Sequence, residues 1–166
     1  MTRVQVVSAV ITCSDRILLT QRRQNGSFPF EWECPGGKVE GDEAAIVAIQ
    51  RELQEEIAIK VSLTLIAPWA LLSVDFDPPI LSNPSTVNFH RVILGADTVP
   101  FVIHPREVLG YGWFTFEEAA TLPLLPGNRA FFGAFPTFHS MLDRSVVCVE
   151  RAMAGYDQIE KRHTGS

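Results

Sequence analysis

Apolar and polar positions alternate near the start of the chain. Residues 4–12 and 16–22 are apolar-rich runs separated by the turn-forming pair Ser14-Asp15, a pattern that predicts a β-hairpin. Gly, Pro and polar residues then punctuate residues 24–37, which predicts a loop. Over 42–57 the period changes: Ile46, Ile49, Leu53 and Ile57 recur at helical spacing, and Asp42 and Glu43 stand where the positive end of a helix dipole favours acid. Strand-like runs follow at 61–67, 69–76 and 86–94; in the last, Val87, Phe89, Arg91 and Ile93 alternate with Asn88, His90 and Val92. The Pro, Asn and Ser content of 77–84 predicts a loop. A further strand ends at Gly112-Trp113-Phe114, after which Thr115 and Glu118 have capping-box spacing for a short helix. From about 128 to 154 the period is helical, with Phe131, Phe135, Phe138 and Leu142 inward and a break at Pro136.

Strands around one central helix, with a C-terminal helix added, predict an α+β fold, an α/β/α sandwich on a mixed sheet. No internal repeat is visible, and 166 residues suit a single domain over 1–166.

Composition changes this picture mainly by exclusion. With 46% hydrophobic and 20% charged residues and no apolar run of bilayer length, no membrane partner is expected. The N-terminal residues read as a first strand rather than a secretory signal, so the expected location is cytoplasmic. Cys13, Cys34 and Cys148 are widely spread and form no paired motif, which suggests neither disulfides nor zinc. His90, His104, His139 and His163 show no ligand spacing. A net charge of −5 argues against general nucleic-acid binding, which needs a basic face. A small anionic ligand stays open, because a bound cation can reverse the local field.

The chemistry concentrates on the predicted helix. Glu52, Glu55 and Glu56 fall within an arc of about 100° on a helix surface, so three carboxylates share one face. For a bare helix this is unfavourable, since Glu52 and Glu56 repel at i,i+4 and all three lie toward the negative dipole end. Two accounts fit: a solvated acidic face, or a site whose hard oxygen ligands take Mg²⁺ or Mn²⁺ together with phosphate oxygens.

The upstream sequence decides between them. From Gly37 the spacing is Gly, five residues, Glu43, seven residues, Arg51-Glu52-Leu53, one residue, Glu55-Glu56, one residue, Ala58, Ile59. Residues 37–59 thus resemble the Nudix box at every defined position but one, and Trp32-Glu33-Cys34-Pro35-Gly36 is similar to the lead-in of MutT-like members. The departure is Ala58 where the family has Gly, a position that often closes the turn in the left-handed conformation.

The resemblance implies a Nudix-like mixed sheet with a catalytic loop-helix-loop, and a Mg²⁺- or Mn²⁺-dependent pyrophosphohydrolase. The substrate would be a nucleoside triphosphate or another nucleoside diphosphate linked to a group X, cleaved by water attack on phosphorus. Glu52, Glu55 and Glu56 would bind the cation with the carbonyl of Gly36, while Gly37, Glu43 and Arg51 would be structural. The general base would be a box glutamate or Glu107, whose segment, 107–114, is similar to the family's loop and final strand. Alternatives within the same fold are hydrolysis of sugar nucleotides or dinucleoside polyphosphates, and a nucleotide-binding regulatory module without turnover. An isomerase acting on carbon has little support, because no Cys and Glu pair suits it. The assembly expected is a monomer or homodimer.

Three further residues are candidate substrate readers. Arg22 and Arg23 end the second predicted strand and face opposite ways, so only one can meet substrate phosphates; Arg23 is the one adopted here, with two solvated arginines as the alternative. Trp32 either stacks on a base or caps the core. Asn128 resembles the Asn that MutT-like enzymes set against a purine edge, and an N-cap is its other reading.

Overall fold

The computed structural model describes residues 2–94 and 105–143. The hairpin forms as predicted: β1 (Val4–Cys13) and β2 (Arg16–Gln21) turn through Ser14 at φ 52°. The two strands pair only beside that turn, at Thr12↔Ile17 and Cys13↔Arg16. Beyond it, two short strands lie within the predicted loop: β3 (Trp32–Glu33) takes the freed edge of β2, and β4 (Gly36–Lys38) takes that of β1, at Val6–Ser8. The pairings therefore split along the hairpin, and the β3–β4 segment occupies the fork.

β5 (Leu72–Phe76), β6 (Ser85–Ile93) and β7 (Gly110–Thr115) complete a seven-stranded mixed sheet. β6 runs parallel to β1 from Val4↔Ser85 to Thr12↔Ile93, β5 is antiparallel to β6, and β7 covers the outer edge of β2. α1 (Ala45–Ile57) packs on one face, with Ala48, Ile49, Leu53 and Ile57 buried against Val7, Ala9, Ile11 and Leu18. α2 (Phe116–Ala119), α3 (Pro126–Ala134) and α4 (Phe138–Leu142) cover the other, where Phe116, Phe131 and Phe135 meet Val10, Leu19 and Phe89. The α/β/α layering follows from strand alternation: odd positions Val7, Ala9 and Ile11 face α1, while Val10 faces the aromatic cluster. Phe131 stacks on Phe89 with centroids 4.9 Å apart. No helix among the described residues is long and apolar enough to cross a membrane.

Several boundaries differ from expectation. α1 begins at Ala45, so Asp42 and Glu43 precede the helix, in a turn where Gly41 adopts φ 53° and Glu43 N–H bonds the Glu40 carbonyl. The 61–67 run is not a strand but a 3-10 turn at Leu63–Leu65; Ser62 accepts from Thr64 N–H, and only Val61 and Ile66 are buried. β5 starts at Leu72, and Trp69 is 77% exposed. The C-terminal helical segment divides into two short helices at the expected break. Pro126 starts the first, the chain breaks around Pro136, and Thr137 with Ser140 caps the second. Leu142 is exposed rather than inward, and the rest of the 128–154 segment lies outside the described residues. The capping box at Thr115 and Glu118 forms as predicted.

Ala58 closes α1 in the left-handed region, at φ 57° and ψ 31°, and the turn is completed by Ile59 N–H bonding the Leu53 carbonyl. A β-carbon there costs about 1 kcal/mol. Ala58→Gly is therefore expected to raise the melting temperature by roughly 2–4 °C. A lower melting temperature would show that the alanine methyl contributes more by packing than its backbone strain costs.

Candidate active site

The site is built where the fork in the hairpin meets α1. Gly36 lies so close to β1 that a β-carbon on it would come 2.0 Å from the Val7 carbonyl oxygen. Gly37 lies under the helix, where a β-carbon would come 2.2 Å from Glu52 Oε1. The missing side chains let backbone approach backbone and carboxylate together. Gly36 N–H then donates to Glu56 Oε2 at 3.2 Å, and Lys38 carbonyl accepts from Arg51 Nη2 at 2.9 Å, tying the loop to the helix at both ends.

Arg51 organises the outer carboxylates. It donates to Glu43 Oε1 at 2.6 Å, Glu52 Oε1 at 3.0 Å and Glu55 Oε2 at 3.3 Å. These hydrogen bonds hold the Glu43 carboxyl below its ordinary range, the Arg51 contact being the largest cause, and raise the Arg51 guanidinium further above its own. Arg51 and Glu43 thus act as a brace between the turn before α1 and the helix itself.

Glu52 and two further half-buried carboxyls, Glu33 and Glu56, sit inside that brace. Glu52 is raised mainly by burial, against the pull of Arg51, and Glu33 is raised mainly by burial, against the pull of Arg22. Glu56 is pushed up to about 8, first by burial, then by repulsion from Glu33 and Glu52. Glu33 has Arg22 Nη1 at 2.9 Å and Glu52 has Arg51, whereas among the described residues Glu56 has only the Gly36 N–H. A mostly buried carboxylate repelled by three others and with no cation paired to it among the described residues is the place a hard divalent ion would stabilise most. As arranged, no three His, Cys, Asp or Glu side chains among the described residues gather around one point, because Glu52 and Glu55 turn oxygens to Arg51. The donor set, all carboxylate and carbonyl oxygen, suits Mg²⁺ or Mn²⁺.

Glu107 comes to this cluster from afar. Arg106 and Glu107 N–H groups both donate to the Glu56 carbonyl, at 2.8 and 3.4 Å, and the Glu107 charge repels Glu52 and Glu56. Arg23 is exposed and donates to the Arg106 carbonyl, so it holds this loop.

A cleft of about 570 Å³ opens beside the box. Gly36, Gly37, Lys38, Ile80, Leu81, Pro126 and Asn128 are among the residues that line it. The arginine that lines it is Arg22, not Arg23. Trp32 is absent from the lining and packs edge-on against Phe114, 5.2 Å between centroids. Asn128 is not an N-cap: Leu125 holds that position, and Asn128, buried in the first turn of α3, accepts from Cys34 N–H at 2.8 Å. Glu33 and Phe28 also line the cleft, and no local sequence signal marks either placement, because each depends on how the 22–35 segment pairs with distant strands.

A NUDIX domain model matches residues 1–135, and the chain belongs to the Nudix family of hydrolases, which generally need divalent metal ions. It is similar to the CTP pyrophosphohydrolase of Escherichia coli (strain K12), 30% identical over 81% of this chain and 93% of the relative. The nucleoside triphosphatase NudI of Enterobacter sp. (strain 638) is 27% identical over 70% of this chain and 84% of its own length. Among solved structures, the MutT protein of Methanosarcina mazei Go1 shares the fold, with a TM-score of 0.68, 22% identity, and coverage of 86% of this chain and 96% of that one.

Proposed function

We propose that this chain hydrolyses a diphosphate bond of a nucleoside triphosphate, with Glu52, Glu55, Glu56 and the Gly36 carbonyl holding Mg²⁺ or Mn²⁺. The observation that carries this reading is one continuous cleft whose lining runs from the box glycines to Asn128. Its volume of about 570 Å³ is of the size that small-molecule sites have. The names of the relatives that act on CTP and on nucleoside triphosphates support the same substrate class. We extend the reading to a monomer or homodimer in the cytoplasm, consistent with the free thiols of Cys13 and Cys34.

When bound, the cation supplies charge that polarises phosphoryl oxygens and offsets the leaving group. The chain supplies the rest. Gly36 N–H holds Glu56 and Arg51 holds Glu43, which fixes the loop against the helix, while Glu52 and Glu55 turn from Arg51 to meet the cation. Arg22 and Lys38, lining the cleft, offset the phosphate charge that the glutamates would otherwise repel. Glu107 takes the proton of the attacking water; a box glutamate is the other candidate for this step. Asn128 spends its Oδ1 on Cys34 N–H and presents its amide N–H groups to an acceptor on the base edge.

The test is a pyrophosphate- and phosphate-release screen with Mg²⁺ or Mn²⁺. It covers nucleoside triphosphates, oxidised nucleotides, sugar nucleotides and dinucleoside polyphosphates. Release from triphosphates that collapses in Glu55→Gln is the expected result; release only from sugar nucleotides or dinucleoside polyphosphates would move the substrate class. Glu107→Gln is expected to lower kcat by about 10²–10⁴-fold with KM little changed. An unchanged kcat would remove Glu107 from the mechanism and leave the base to the box.

A further inference from the structure

Phe28 stands out among the cleft residues for its backbone. It is an aromatic residue with φ 56°, a left-handed conformation that bulky side chains rarely adopt, and it lines the cleft. Such strain persists only where surrounding contacts over-determine it. Those contacts are present. Arg22 Nε donates to the Ser27 carbonyl at 2.9 Å, Arg22 N–H bonds the Glu31 carbonyl at 2.9 Å, and Phe30 N–H bonds the Arg22 carbonyl at 3.2 Å. The same guanidinium reaches Glu33, so the loop carrying Phe28 is fastened to the floor of the cleft. Among the described residues that line the cleft, Phe28 alone is aromatic.

We propose that Phe28 is the stacking platform for the nucleobase, and so a residue that selects aromatic bases over other groups at that end of the substrate. This rests on the nucleoside triphosphate reading above. With Asn128 addressing an edge and the aliphatic side chains of Ile80 and Leu81 lining the same cleft, the missing element for base binding is a π-face, and Phe28 provides one. Stacking is indifferent to which base is present, so the residue sets affinity for nucleotides in general and leaves ranking among bases to polar groups. The Arg22 tether has a further consequence. Losing it frees the loop and weakens base binding, even though Arg22 itself faces phosphate and Glu33.

The test uses Phe28→Gly, Phe28→Leu and Phe28→Trp in the full chain, assayed with Mn²⁺ on CTP and GTP and on ribose 5-triphosphate, which lacks a base. Phe28→Gly removes the left-handed strain, so it should fold with melting temperature near or above wild type. The expected result is a rise in KM for CTP and GTP of about 5- to 100-fold in Phe28→Gly. A smaller rise is expected in Phe28→Leu, near-wild-type KM in Phe28→Trp, and unchanged kcat/KM for ribose 5-triphosphate. A wild type active on CTP and GTP whose KM does not move in Phe28→Gly overturns the stacking role and leaves the hydrolase reading standing. A wild type inactive on every nucleoside triphosphate overturns both. An equal loss on ribose 5-triphosphate overturns stacking in favour of a general role of the loop in shaping the site.

Discussion

Glu56→Gln is expected to abolish turnover and at the same time to make the metal-free protein more stable. In the folded chain the Glu56 carboxyl is pushed up to about 8, chiefly by burial and by repulsion from Glu33 and Glu52. The folded state therefore holds a proton that the unfolded state gives up near its ordinary value of 4.5. Because the folded form binds more protons over this window, stability falls as pH rises from about 4.5 to about 8. Glutamine keeps the acceptor for Gly36 N–H and removes the titration, so the variant should gain on the order of 2–4 kcal/mol over wild type at pH 8 without metal. It should also lose about 10³-fold or more in kcat, since the missing charge is the one a cation needs. Urea unfolding at pH 5 and pH 8, with and without Mn²⁺, checks the argument. Mn²⁺ should stabilise wild type and leave the variant little changed. A variant as active as wild type, or one less stable at pH 8, would show that Glu56 is neither the cation's main ligand nor a strained charge.

Gly36→Ala is expected to damage the fold and Gly37→Ala the chemistry. The added carbon at Gly36 meets backbone, the Val7 carbonyl oxygen at 2.0 Å and Ser8 Cα at 2.9 Å, and no side-chain rotation can relieve it. β4 would have to leave β1, giving up the Val7↔Gly37 and Ser8↔Gly36 pairings and the N–H that holds Glu56. A loss of about 3 kcal/mol or more follows, with activity falling alongside. At Gly37 the clash is with the carboxylate end of Glu52, at 2.2–2.6 Å, which can swing away. That variant should keep most of its stability and lose activity by about 10²-fold or more, because Glu52 is displaced. Urea midpoints and kcat for the two proteins separate the cases; equal stability losses would mean that the loop lies farther from β1 than described.

Local spacing made much of this molecule legible before folding was considered. The hairpin at Ser14-Asp15, the helix carrying Glu52, Glu55 and Glu56, the capping box at Thr115 and Glu118, and the left-handed closure at Ala58 each depend on residues a few positions apart. Where a pattern reported only burial, it misled. The apolar positions of 61–67 are consistent with a strand, yet Ser62 caps a 3-10 turn there and the ends alone are buried. The break expected at Pro136 is present, and a new helix with its own cap starts just after it, although Leu142 is exposed rather than inward.

By itself, then, the sequence determined that three carboxylates share a helix face next to a glycine pair, because helical geometry fixes which side chains neighbour one another. Tertiary structure alone decided which residues meet them. Alternation at the end of the predicted second strand says that Arg22 and Arg23 face opposite ways, although β2 itself ends at Gln21. Only the arrival of β3 on that edge puts Glu33 beside Arg22, while the 105–109 loop draws Arg23 off to Arg106. Trp32 is the aromatic the sequence singles out, yet Phe114 of a distant strand engages it, and the fold leaves Phe28 in the cleft instead. Contacts between residues far apart in the chain depend on how strands pair and diverge, and no short-range pattern records that.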